Sequence, residues 1–135
     1  MNIQETLIKA TKLLIESGTK SPYLDSEILL SQTINQNRKY VILNSQKKLN
    51  DKYLNNFYSL VDRRKKGEPI AYLIKKKYFW NESFYVNKNV LIPRSDTEIL
   101  IEETLKLFNK NSTQNVLDIG TGSGCILLSI LKERS

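Results

Sequence analysis

The sequence has 135 residues, of which 40% are hydrophobic, and a formal net charge of +7 with no histidine. Its lone cysteine, Cys125, excludes an internal disulfide, and the lack of histidine argues against a zinc site or histidine-based catalysis. The longest apolar runs are three or four residues, which excludes a membrane-spanning helix, and the N-terminus alternates polar and apolar residues where a secretory segment would be continuously apolar. A cytoplasmic location is expected. The charge is uneven: residues 1–66 hold 12 Lys+Arg against 6 Asp+Glu, and residues 67–135 hold 9 against 8. A basic half can track a nucleic-acid surface, but lysine is abundant throughout, so ordinary solvated lysines explain the excess as well.

In chain order, residues 2–17 place Ile3, Leu7, Ala10 and Leu14 on one side of a helix with Ile8 and Ile15 flanking, and Gly18 closes it. Ser21 is the expected cap of a second helix, with Pro22 at its first position and Leu24, Ile28, Leu29 and Ile34 as its stripe. A short helix spans Arg38 to Leu43. Asn50 caps a further one, in which Leu54, Phe57, Tyr58 and Val61 recur at helical spacing up to the basic run Arg63–Lys66 and the stop at Gly67. Four helices with short connections make a small bundle over residues 1–66. The basic run fits the negative end of a helix dipole, and it could also meet nucleic acid.

Beyond Gly67 the period changes. Tyr78–Trp80 and Ser83–Asn87 read as strands joined by Asn81 and Glu82, a linking hairpin within residues 67–93. A third region, 94–135, begins with a helix from Ser95 or Asp96, with Glu98 as the capping-box partner of Ser95 and Ile99, Leu100, Leu105 and Phe108 as its buried side. After a polar loop over 109–115 comes NVLDIGTGSGCILLSIL, read as a buried strand Val116–Ile119, a glycine turn and an apolar helix. That is the opening unit of a parallel sheet in an α/β fold.

Asp118 stands at the carboxyl end of that strand, where open α/β sheets place ligands. A dinucleotide fingerprint from Gly120 would need glycine at 125, where Cys125 stands, and a P-loop would need Gly-Lys at 125 and 126. Neither fits. The remaining pattern, acidic-x-Gly-x-Gly-x-Gly, resembles the first motif of class I S-adenosylmethionine-dependent methyltransferases. A carboxylate suits a cofactor carrying a sulfonium and an ammonium and no phosphate. The candidate cofactor residues are Asp118, Gly120, Thr121, Gly122, Ser123 and Gly124; a glycine turn without a ligand is the plainer alternative.

Four stretches carry a more specific likeness: Gly67–Leu73 as GEPIAYL, Phe84–Val86, Val90–Glu98 as VLIPRSDTE, and Val116–Gly124 as VLDIGTGSG. Together they resemble the release-factor glutamine N5-methyltransferase family, known as PrmC or HemK. Ser95 stands where the family usually has proline, and Ile74 and Lys75 stand near a usual glycine. The resemblance implies a small N-terminal helical domain that helps to recognise peptide chain release factors, then a Rossmann-like methyltransferase domain binding S-adenosylmethionine. The family's catalytic Asn-Pro-Pro-Tyr motif is absent from these residues, so the chain is expected to be the N-terminal portion of such an enzyme and inactive alone. The competing expectation is a helical binding module for a release factor or ribosomal RNA.

Overall fold

The computed structural model describes residues 1–108, 113 and 115–134. These form a mixed α/β structure in two compact units, Met1–Ile74 and Lys75–Ser135.

The first unit contains α1 (Ile3–Glu16), α2 (Pro22–Thr33), α3 (Arg38–Leu43), α4 (Asp51–Lys65) and the single turn α5 (Ile70–Leu73). Helix α1 starts at a reciprocal capping box: the Glu5 N–H donates to Asn2 Oδ1 at 2.8 Å and the Asn2 N–H to Glu5 Oε2 at 3.0 Å. Asn37 and Asn50 cap α3 and α4 in the same way, accepting from the N–H groups of Tyr40 and Tyr53 at 2.8 and 2.9 Å. Ser21 does occupy the N-cap of α2, with Pro22 at the first position, but its hydroxyl makes no capping bond. Both predicted glycine stops hold. Gly18, at φ +73°, donates to the Ile15 carbonyl while the Thr19 N–H reaches the Leu14 carbonyl, and Gly67, at φ +90°, repeats the pattern on Arg64 and Arg63.

Ile3, Ala10 and Leu14 of α1, Leu29 and Leu30 of α2, Val41 of α3, and Phe57 and Val61 of α4 meet in one core, which Leu73 of α5 completes. The expected stripe was too wide. Ile8 and Ile15 are 64% and 52% exposed, while Thr6 and Thr11 take buried places beside the core. Thr11 can go inside because its hydroxyl donates to Ser26 Oγ at 3.1 Å, and Ser26 in turn donates to the Pro22 carbonyl at 2.8 Å.

The second unit opens with the hairpin β1 (Lys76–Phe79) and β2 (Glu82–Tyr85), antiparallel with Phe79 opposite Glu82. The two-residue turn is therefore Trp80-Asn81, one residue earlier than expected. Phe79 and Phe84 point to the same side and pack edge to face, their centroids 6.2 Å apart. They share a second core with Ile101 of α6 (Glu98–Leu107) and with Cys125 and Ile130 of α7 (Cys125–Arg134). A 3-10 turn, Ser95–Thr97, precedes α6. Ile101 is fully buried there, whereas Ile99 and Leu100, assigned inward from the sequence, are 61% and 51% exposed. The polar loop expected over 109–115 lies mostly outside the described residues.

The expected strand Val116–Ile119 is not formed. The described residues offer it no ladder partner, and a parallel strand cannot satisfy its own backbone groups. Val116, Leu117 and Ile119 are accordingly 44%, 82% and 88% exposed. Among the described residues no helix is long and apolar enough to cross a membrane.

Candidate functional site

The glycine turn keeps its local geometry without the strand. Gly120, Gly122 and Gly124 all have positive φ, at +81°, +55° and +77°, a region in which a side chain is strained. The Thr121 carbonyl accepts from the Gly124 N–H at 2.8 Å, closing the turn, and the Gly124 carbonyl accepts from the Leu128 N–H at 3.0 Å, starting α7. A Cβ on Gly120 would meet nothing within 4 Å, while one on Gly124 would meet Leu128 Cδ1 at 3.2 Å. The first glycine thus leaves open space above the backbone, and the third lets the turn close onto the helix.

Asp118 precedes this turn, half-buried, and its Oδ2 is buried with no hydrogen-bond partner. A buried acceptor left without a donor costs about 1–3 kcal/mol. Beside open glycine backbone, it suits a ligand that brings a positively charged donor. Gly122 and Ser123 also line a groove of about 600 Å³, whose other walls include Phe84, Tyr85, Asn87 and Leu128. Across it the Lys132 ammonium pairs with the Glu82 carboxylate. Those hairpin and helix residues were not candidates from the sequence; they lie tens of positions from the glycines, and only the alternation of β2 marked which of them face inward.

The VLIPRSDTE stretch departs from its expected role at one residue. Glu98 does not cap Ser95. Its Oε1 accepts the backbone N–H of Trp80 at 2.7 Å, tying the hairpin turn to the start of α6. Trp80 sits at φ +53°, unusual for a bulky residue, and its indole N–H donates to Glu133 of α7 at 2.7 Å. Two carboxylates therefore hold the turn.

The basic run is half engaged internally. Arg63 makes a two-pronged pair with Glu68 at 2.7 and 2.5 Å, which holds its guanidinium protonated beyond the ordinary arginine range. Arg64 donates through Nε to Asp25 Oδ2 at 2.7 Å, an ion pair in which Asp25 is 4% exposed. Arg64 also donates to the Glu68 carbonyl at 3.1 Å, so both arginines brace the end of α4.

Against known proteins, the family profile described as the PrmC N-terminal domain matches residues 5–74, more than half of the chain. The chain belongs to the PrmC family. It is 40% identical over 98% of its length to the release factor glutamine methyltransferase of Clostridium acetobutylicum, and 44% identical over 96% to the protein of the same name from Buchnera aphidicola subsp. Schizaphis graminum. A bifunctional methyltransferase of Rickettsia conorii is 36% identical over 98% of the chain. This PrmC-family chain spans 46%, 46% and 30% of those three relatives, less than half of each. The PrmC profile covers the whole first unit except its first four residues, and the relatives' similarity continues through the glycine turn.

Proposed function

We propose that this chain is the N-terminal part of an S-adenosylmethionine-dependent methyltransferase that modifies the glutamine of the Gly-Gly-Gln motif in peptide chain release factors, in the cytoplasm. Within that reading residues 1–66 serve release-factor recognition, 67–93 link, and 94–135 begin the cofactor-binding domain. Support for the reaction comes from the relatives' names. Support for the cofactor comes from one observation, the partnerless Asp118 Oδ2 before a turn whose glycines leave ligand-sized space.

Asp118 would hold the cofactor's ammonium and favour its nearby sulfonium, and the backbone from Gly120 to Gly124 would approach it closely. The bound cofactor would supply an electrophilic methyl carbon. An amide nitrogen is a weak nucleophile, so the protein's work is alignment, which can lower such a barrier by about 7 kcal/mol or more. Residues for that alignment are not assigned among the present ones; by family they belong to the Asn-Pro-Pro-Tyr motif.

The test is a chimera in which residues 1–135 replace the matching part of the Clostridium acetobutylicum relative. Methylation of a release factor at its Gly-Gly-Gln glutamine is expected, with Asp118→Ala weakening S-adenosylmethionine binding at least tenfold. A folded chimera that binds the cofactor equally well with and without Asp118 would overturn the assignment of the site.

A further inference from the structure

The loop between α3 and α4 folds back against the start of α1, and a cavity of about 300 Å³ opens there among Tyr40, Lys47, Lys48, Asn50 and Tyr53. Its frame is fixed by backbone bonds. The Ile3 N–H donates to the Lys47 carbonyl and the Leu49 N–H to the Met1 carbonyl, both at 3.0 Å, and Asn2 and Lys48 form an antiparallel bridge. Tyr40 and Tyr53 each follow a capped helix start. The groups around the cavity are thus carried on ordered backbone before any ligand arrives, which reduces the entropy lost on binding.

The lining is rich in donors. Lys47 Nζ donates to the Tyr40 hydroxyl oxygen at 2.7 Å and lies 5.4 Å from the ring centroid; that bond holds the ammonium protonated above the ordinary lysine range. Two ammonium groups, two phenols and the amides of Gln36 and Asn50 surround the space, and no carboxylate lines it. An anion finds partners here and a cation finds none. Tyr53, 37% exposed, adds a flat ring beside the charges.

We propose that this cavity binds single-stranded nucleic acid, with a phosphate between Lys47 and Lys48 and an adjoining base stacked on Tyr53. A nucleotide joins an anion and a flat ring in one repeating unit, matching both halves of the lining; an acidic peptide would use the lysines and leave the ring without a partner. The proposal does not rest on methyl transfer, since none of these residues belongs to the glycine turn or its groove.

The experiment is fluorescence anisotropy of a short labelled oligouridylate titrated with the whole chain over a range of salt. Saturable binding is expected. Replacing Lys47 and Lys48 together by alanine should lower the slope of log affinity against log salt by about 1.4, about 0.7 for each lost phosphate contact to a single strand. Tyr53→Leu should weaken binding about tenfold at unchanged slope, and Tyr53→Phe should retain it. Lys12→Ala with Lys20→Ala removes the same charge elsewhere on the unit and should leave the slope unchanged. Circular dichroism melts confirm that each variant folds, and glutamine at 47 and 48 replaces alanine if the melt falls. An oligothymidylate arm tells whether RNA or DNA is the better source of the same chemistry. No saturable binding, an equal loss in the Lys12 and Lys20 variant, or competition by polyglutamate as strong as by oligouridylate would overturn the proposal.

Discussion

Tyr58 carries a hydroxyl that is buried without a hydrogen-bond partner, and burial pushes its pKa above the ordinary phenol value. Its ring tilts against Phe57 at 5.3 Å and lies under Lys9 Nζ, also at 5.3 Å. Tyr58→Phe keeps both contacts and removes the uncompensated polar atom, so a gain of about 1 kcal/mol is expected in urea denaturation. The pH dependence follows. The folded state holds this phenol's proton more tightly than the unfolded state, so the contribution is intact below about pH 10 and lost as pH rises through the folded value. The variant's stability should therefore fall less steeply than the native protein's above that pH. Arg64 supports the opposite expectation. Arg64→Ala leaves the Asp25 carboxylate buried and unpaired, and a loss of about 3 kcal/mol should appear in the same assay. From sequence, Arg64 was one of four basic residues at a helix end. Its partner lies 39 positions away, a separation no local pattern reveals.

At the scale of elements, legibility depended on whether the deciding interaction is local. Gly18, Pro22, Asn50 and Gly67 mark helix ends through contacts within a few residues, and each boundary lay where the sequence put it. The hairpin turn and the start of α6 did not, because Glu98 gives its carboxylate to Trp80, 18 positions back, and not to Ser95. The strand Val116–Ile119 failed for a different reason. Its composition is that of a strand, yet strand formation requires a neighbour. The glycine turn after it was readable because its three positive φ angles and its closing bond are internal to five residues. A clean test of the local signals is Gly67→Ala. A Cβ there meets nothing within 4 Å, so the cost is backbone strain alone, about 1 kcal/mol. Gly67→Asn should cost less, since Asn35 already adopts φ +51° after α2.

For the molecule as a whole, the two-unit division gives a truncation series. Leu73 and Ala71 are 5% and 6% exposed, and Leu73 joins the core of the first unit. A fragment of residues 1–74 should fold as a helical bundle, and one of residues 1–66 should be less stable by about 2 kcal/mol, the burial of one leucine. Equal melting temperatures for the two would contradict the packing of α5. A polypeptide of the 135 residues alone is expected to transfer no methyl group to a Gly-Gly-Gln substrate, since it has no Asn-Pro-Pro-Tyr segment. Mass spectrometry of a release factor incubated with it and S-adenosylmethionine decides the point.

Trp80 is the chain's one tryptophan, and it belongs to the second unit, with a carboxylate on its indole N–H. Emission excited at the red edge of the indole band therefore comes from that unit alone, while far-ultraviolet ellipticity is weighted towards the five helices of the first. Heating an unlabelled sample and following both signals would separate the two unfolding events optically. The emission maximum would shift to longer wavelength when the hairpin turn lets go of its glutamates, whatever the helical bundle is doing at that temperature.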